Sequence, residues 1–306
     1  MTGPFTMPNV EDATVSGKTR TENGRLAAIE LRPMQDGDID AASGLSKALG
    51  WPHRLEDWKF MFAVGQGLVA VTADGEVVGS LMWWPYGQDD AAVGMVIVSS
   101  VWQGHGIGRR LMVEARTALH GRALHLNATP GGLPLYEKLG FRPCGVVEQR
   151  QATAMTQPIV PLPEGMRLRP AGQNDLGAMM ALDRAANGLD RHDLLAELLR
   201  VGKGIVVDDG GAVVGYSICR MFGWGKVIGP VVATTADFAQ AMIAHWIGSC
   251  AGRFTRLDVP SDGGLSAWLD EIGLPLVDTV TTMTTADVRT PAHGAQTFAL
   301  CSQALG

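Results

Sequence analysis

The sequence is short of cysteine, of tyrosine, of basic charge and of long apolar runs, and each shortage excludes something. Four cysteines in 306 residues (Cys144, Cys219, Cys250 and Cys301) stand far apart and form no Cys-x-x-Cys pair. That spacing gives neither a disulfide framework nor a zinc site, so reduced thiols and no metal are expected. No stretch stays apolar for the roughly 20 residues that a membrane-crossing helix needs. Residues 1–26 are polar, with no apolar core of the kind a signal peptide has. A disordered leader, a cytoplasmic location and no membrane partner are the expectations. The net formal charge of −6 argues against a nucleic-acid partner, whose binding surface would be basic, and is compatible with a cationic small substrate. Only three tyrosines occur, so one that falls within a motif stands out.

What is present is enough apolar material for two cores: 46% of the residues are hydrophobic, in a chain long enough for two ordinary domains. The chain also repeats itself. In "LRPMQDGDIDAA", Leu31, Arg32, Pro33, Asp38 and Ala41 recur at one constant offset as Leu168, Arg169, Pro170, Asp175 and Ala178 of "LRPAGQNDLGAM". "GLVAVTADGEVVGS" from Gly67 returns as "GIVVDDGGAVVGYS" from Gly204. "GMVIVSS" from Gly94 returns as "GPVVATT" from Gly229, and "LNATPGGLPLYEKLGF" from Leu126 as "LDVPSDGGLSAWLDEIGL" from Leu257. Four matches in order define two copies of one domain, over 27–157 and 166–306, joined by the proline-rich "PIVPLPEG" at 158–165.

Each copy reads as a short strand, an Asp placed to cap a helix, and a hairpin around a tight turn such as Asp74-Gly75. A buried strand, a helix, a strand, a short helix ended by glycine and a last strand follow. The fold class is therefore α/β (α+β): two tandem domains, each a mixed, mostly antiparallel twisted sheet flanked by helices.

Residues 102–110, "WQGHGIGRR", join the buried strand "VGMVIVSS" to the helix "LMVEARTAL". Free backbone N–H groups and the dipole of a helix start attract an anion, and glycines let a phosphate approach the main chain. The spacing of Gly104, Gly106 and Gly108 is not the G-x-G-x-x-G of a dinucleotide site, and no acid lies about 20 residues on. No G-K-[ST] ending of a P-loop follows either. A Q/R-x-x-G-x-G/A loop, which holds the pyrophosphate of coenzyme A, fits Gln103, Gly106 and Gly108 residue for residue.

With "VIVSSVWQGHGIGRRLM" and, further on, "LPLYEKLGF", the first copy resembles the GNAT superfamily of N-acetyltransferases. The second copy follows that resemblance through the internal repeat, as in two-copy members of the superfamily. The resemblance implies that the strand Val96-Ile97-Val98 splays from its neighbour and pairs with the pantetheine arm of acetyl-CoA. It implies that Gln103, Gly104, His105, Gly106, Ile107, Gly108 and Arg109 wrap the pyrophosphate, and that Tyr136 lies by the thioester sulfur. Many relatives carry an Asn six residues before that Tyr. Pro130 stands there in this chain, and Asn127 and Thr129 are the polar residues nearby.

The implied reaction is direct attack of a primary amine on the thioester. An alkyl amine with an unperturbed pKa of about 10.4 must first lose a proton. A backbone N–H near Val98 would receive the developing oxyanion, and Tyr136 would be the general acid to the leaving thiolate. The base is not visible: Asp89, Asp90, His53, Asp57 and a water relay all stay open. Trp51, His53, Trp58 and Trp84 are the candidate acceptor contacts, because the family's first helical region and neighbouring strands wall that site and aromatic faces enclose a cation or an apolar chain. In the second copy the loop positions become Phe238, Ala239, Ala241 and Ile243, and the tyrosine becomes Trp268 or Leu269. A degenerate second domain without a cofactor site is expected, its role being to close the acceptor pocket, to mediate dimerisation or to stabilise the first. Arg220, Trp224 and Lys226 offer contacts to an acidic group on the substrate. The expected function is acetyl transfer to a small-molecule amine by a monomer or homodimer. A non-catalytic acyl-CoA sensor and a protein or peptide acceptor remain as alternatives.

Overall fold

The computed structural model describes residues 29–153, 158–287 and 294–306; the expected leader lies outside the described residues. The first repeat contains β1 (Glu30–Pro33), α1 (Ile39–Ala48), α2 (Leu55–Ala63), β2 (Gln66–Val71), β3 (Val77–Tyr86) and β4 (Asp90–Val98). It continues with α3 (Ile107–Ala118), β5 (Ala123–Ala128), α4 (Leu133–Lys138) and β6 (Arg142–Thr153). The second contains β7 (Met166–Pro170), α5 (Leu176–Asn187), α6 (His192–Val201), β8 (Lys203–Asp209), β9 (Ala212–Phe222) and β10 (Gly225–Ala233). After these come α7 (Ala236–Ser249), β11 (Phe254–Pro260), α8 (Ser266–Glu271), β12 (Leu276–Thr284) and β13 (Gln296–Ala299).

The sequence repeat is also a repeat of hydrogen bonds. Arg32 grips Asp38 through two bonds of 2.7 Å, and Asp38 accepts from Gln35 N–H at 2.8 Å. Arg169 grips Asp175 at 2.9 and 2.8 Å, and Asp175 accepts from Gly172 N–H at 2.8 Å. Each Asp occupies the N-cap position of α1 or α5, yet its carboxylate turns back to the short turn before the helix. There it satisfies an N–H that the helix itself cannot pair.

All the strands join one mixed sheet, in the order β1-β2-β3-β4-β5-β12-β6-β11-β10-β9-β8-β7, with β13 on β10. That order is a palindrome of the two repeats with their last strands exchanged. β12 of the second half lies against β5 of the first, β6 of the first lies against β11 of the second, and β6 and β12 pair with each other. Neither half completes its sheet from its own residues.

A core shared by both halves packs Trp58, Met61 and Trp84 with Met179, Leu194, Tyr216 and Cys301. Within the second half Cys219 and Cys250 meet as free thiols, sulfurs 3.9 Å apart. After β13 the chain makes contacts with both halves. Leu300 N–H bonds Asp258 O at 2.8 Å, the Tyr86 hydroxyl bonds Leu305 O, and Arg191, paired with buried Asp183, holds Gly306 O at 2.6 Å.

Candidate active site

β4 makes the site by leaving its neighbour. It pairs with β5 in parallel only from Asp90 to Ala92, and along Val93–Val98 it is paired on the β3 side alone. Two residues, Met95 and Val96, oppose the single Leu81 of β3. This is a bulge, and Met95 takes φ +53 within it. The buried Ser80 hydroxyl bonds Met95 O at 2.9 Å and pins it. A bulge bends its strand and re-aims the residues beyond it. The result is an open main-chain edge, of the kind to which an extended chain can add as a further strand.

A cavity of about 570 Å³ follows that edge, and its lining includes Val96, Ile97, Val98, Gln103, Gly104, Ile107, Gly108, Asn127 and Tyr136. Most of the sequence-predicted residues thus line one groove, whereas His105, Gly106 and Arg109 lie outside its lining. Gln103 donates to Val98 O at 3.1 Å, clipping the loop to the strand end. Gly104 and Gly106 hold φ +80 and +76, and nothing lies within 4 Å of where their Cβ atoms would be. The left-handed backbone is the reason for glycine there, and the open space leaves the first-turn N–H groups of α3 accessible to an anion. Ile107 is a core side chain that reaches the groove at its edge. His105 and Arg109 are exposed outside the groove lining; the His105 ring meets Trp102 O at 3.2 Å.

Tyr136 projects from α4, is 8% exposed and meets Phe141 edge-on at 5.9 Å. Gly132 makes room for it, since a Cβ there would fall 2.9 Å from the ring. Burial pushes the phenol up to about 12, so it keeps its proton at neutral pH. Asn127 lies in the same groove, but its amide is already engaged: it donates to Gln303 O at 2.9 Å and accepts from Thr282 at 2.8 Å. Thr129 is the neighbouring polar residue in the lining.

A second cavity, of about 270 Å³, adjoins the groove and shares Leu49, Trp51, Gly94, Met95, Asn127 and Thr129 with it. Beyond the bulge its walls are His53, Gln149, Gln151 and, from the second half, Phe222, Trp224, Arg256, Asp278 and Ser302–Ala304. Ala304 sits against the bulge, 3.1 Å from the Cβ position of Gly94. Of the candidate acceptor contacts, Trp51 and His53 line this second cavity. Trp58 and Trp84 do not: at 0% and 1% exposed they are core residues, their indoles bonded to Ser46 Oγ at 3.0 Å and Met61 O at 2.8 Å. The amphipathic face of α2 and the pleat of β3 turn them inward, away from any acceptor.

Of the candidate bases, Asp57 is held below the usual carboxylate range by Arg54 and by backbone N–H groups, including that of Gly223 at 2.9 Å. Asp90 pairs with His125 at 2.8 Å, and Asp89 is exposed; neither lines the groove or the pocket. His53 is held neutral, its pKa lowered to about 4 by burial and by Arg256. Arg220 is structural, buried between the Phe60 and Phe222 rings and bonded to Cys301 O at 3.1 Å, and Lys226 lies outside the pocket lining. Arg256, Ser302 and Gln303 are the wall residues that sequence reasoning misses. No local motif marks them, because the pairing of β6 with β11 brings Arg256, and the chain after β13 brings Ser302 and Gln303, to the first half.

In the second half the matching region is built differently. β10 pairs with β11 only at Lys226 and Val227, after which β13 lies antiparallel on Val231–Ala233. The strand gap that is open in the first half is filled by the chain itself. Phe238, Ala239, Ala241 and Ile243 are not loop residues but buried positions within α7, which starts directly after its cap Thr235.

Both halves match models of the acetyltransferase (GNAT) domain, over residues 65–143 and 179–299. The chain is 27% identical over 282 residues to the uncharacterized N-acetyltransferase YitH of Bacillus subtilis, covering 90% of this chain and 98% of that one. A putative acetyltransferase from Pyrococcus horikoshii superposes with TM-score 0.74 at 20% identity, over 94% and 99% of the two chains. A tandem GNAT protein from the clavulanic acid biosynthesis pathway does so with TM-score 0.61 at 16% identity, over 84% and 98%. The chain belongs to the GNAT N-acetyltransferases and is a tandem member with two GNAT domains on one continuous sheet. The family implies an acyl-CoA donor. Among the described residues no helix is long and apolar enough to cross a membrane.

Proposed function

We propose that the first half transfers an acetyl group from acetyl-CoA to the primary amine of a small molecule, and that the second half walls the acceptor pocket without a donor site of its own. The carrying observation is the junction of two cavities at one bulge. An open strand edge, a glycine loop and a protonated tyrosine line the first, and a smaller pocket walled by residues of both halves adjoins it.

The residues fit an acyl-CoA: β4 from Val96 to Val98 for an extended arm, Gln103–Gly108 and the start of α3 for its phosphates. Bound there, the donor supplies an activated acyl thioester. The β4 N–H groups beyond the bulge, unpaired on the groove side, polarise the carbonyl as negative charge develops. Tyr136 holds a proton at its hydroxyl and delivers it to the leaving sulfur. His53, with its lowered pKa, is too weak a base to take the amine proton, which leaves through water. A pocket of about 270 Å³ walled by both halves suits a small acceptor better than a peptide, which needs a longer groove.

The test is thiol release from acetyl-CoA over a panel of amines, with Tyr136→Phe alongside and calorimetric titration of acetyl-CoA. Amine-dependent release is expected, lowered about 100-fold in the variant, with one acetyl-CoA bound per chain. No binding of acetyl-CoA would overturn the proposal, and two molecules per chain would overturn its second part.

A further inference from the structure

We infer that the acceptor carries an acid group as well as its amine, in a molecule of amino-acid size, and that Arg256 of the second half receives the acid. The inference rests on the acceptor pocket proposed above and names the chemistry of what enters it.

Arg256 projects from β11, is 6% exposed and lines the pocket. Its Nε and Nη2 are bound to Asp258 at 2.8–3.2 Å. Its Nη1 has no hydrogen bond among the described residues, which leaves one face of a planar donor set for a ligand oxygen. Arginine suits this task, because its fixed fork matches a carboxylate.

Two further polar atoms in the pocket residues are buried without a partner: Nδ1 of His53 and Oγ of Ser302. Buried polar atoms are almost always hydrogen-bonded, so two orphans in one small cavity need an explanation. A ligand rich in oxygen and nitrogen provides it.

The charge around the pocket has the right sign. Arg54, Arg220 and Arg256 share two buried carboxylates, Asp57 and Asp258, which leaves one guanidinium charge in surplus. Arg256 and Arg220 both disfavour protonation of His53, so the cations outweigh Asp57 there. The carboxylate in the lining, Asp278, is exposed on β12, where water screens it. Size sets the class: about 270 Å³ falls just below the range of roughly 300–1,000 Å³ for drug-sized sites. Trp51 and Phe222 wall the space between the bulge and Arg256, suiting a short apolar stem with an amine at one end and an acid at the other.

The experiment compares matched acceptors: the protein amino acids, their carboxamides and their decarboxylated amines, assayed by thiol release with wild type, Arg256→Gln, Arg256→Lys and Ser302→Ala. Wild type should favour the acid over its matched amide by about 100-fold or more in kcat/KM. Arg256→Gln should collapse that ratio through KM, Arg256→Lys should restore part of it, and Ser302→Ala should reduce it without unpairing Asp258. Thermal melts identify any variant that fails to fold, and the wild-type ratio needs no variant. Equal or better use of the acid-free partner would overturn the inference and leave the acetyltransferase reading standing. Binding of acetyl-CoA with no turnover of any acid-bearing acceptor would overturn it as well. Failure to bind acetyl-CoA would instead remove the underlying reading.

Discussion

Two titratable side chains line the two cavities, and burial moves them in opposite directions along the pH axis. Tyr136 is pushed up to about 12, so its ionisation lies above any ordinary assay pH and the phenol stays available as a donor. His53 is lowered to about 4 from an unperturbed value of about 6.5. Between those two values the unfolded chain binds a proton that the folded chain refuses. Stability is therefore fully present above about pH 6.5 and falls as pH drops toward 4. His53→Gln should remove about 2–3 kcal/mol of this acid-side loss, measured as a flatter dependence of Tm on pH from 7 to 4. An unchanged slope would place the acid sensitivity elsewhere. Of these two residues, Tyr136 was legible in the sequence because "LPLYEKLGF" carries it, and so was the position of His53. The environment of His53 was not, since Arg256 and Phe222 come from the other half.

Elements shape the two cavities. In the loop before α3 the glycines serve backbone geometry: Gly106 at φ +76 is the N-cap of the helix. A β-branched residue there costs about 1–3 kcal/mol of strain and crowds the N–H groups. Gly94 serves packing instead, because Ala304 occupies the space a side chain would need. Gly106→Val is thus expected to raise the KM for acetyl-CoA about tenfold with little change for the acceptor. Gly94→Leu should do the reverse by displacing the 302–304 segment. Steady-state kinetics with both substrates varied would separate the two, and a rise in the same KM for both variants would contradict the division into two cavities. The loop was readable because glycine spacing is a local signal. The β4 bulge was not, because Met95 acquires its left-handed backbone from the register against β3. Trp58 and Trp84 mislead for a related reason. An aromatic near a site reads the same in sequence whether its face turns to ligand or to core, and burial alone distinguishes them.

The whole molecule is one folding unit by construction, since each half lends its last strand to the other. A chain ended at residue 157 would expose the β5 edge that β12 covers and leave β6 without β11. Such bare edges are aggregation sites. That truncated chain is expected to show no cooperative thermal transition and to aggregate, whereas the full chain should unfold in a single transition. A truncated chain with a native-like circular dichroism spectrum and a sharp melt would refute the exchange as a requirement. The same architecture carries a structural asymmetry between the halves. In one half the strand gap beside the bulge stays open to a ligand, and in the other β13 lies in it.

By itself the sequence determined the repeat, the family likeness, the glycine loop and the tyrosine. All of these arise from chemistry that acts within a few residues: backbone freedom, capping, and the spacing of apolar positions. The tertiary structure alone decided the strand exchange, the filling of the second groove and the wall of the cavity beside the bulge. Those depend on which distant strands pair. A strand's alternating pattern specifies the face it buries but not the partner it takes, so Arg256 became a neighbour of His53 only when β6 entered the second half of the sheet beside β11.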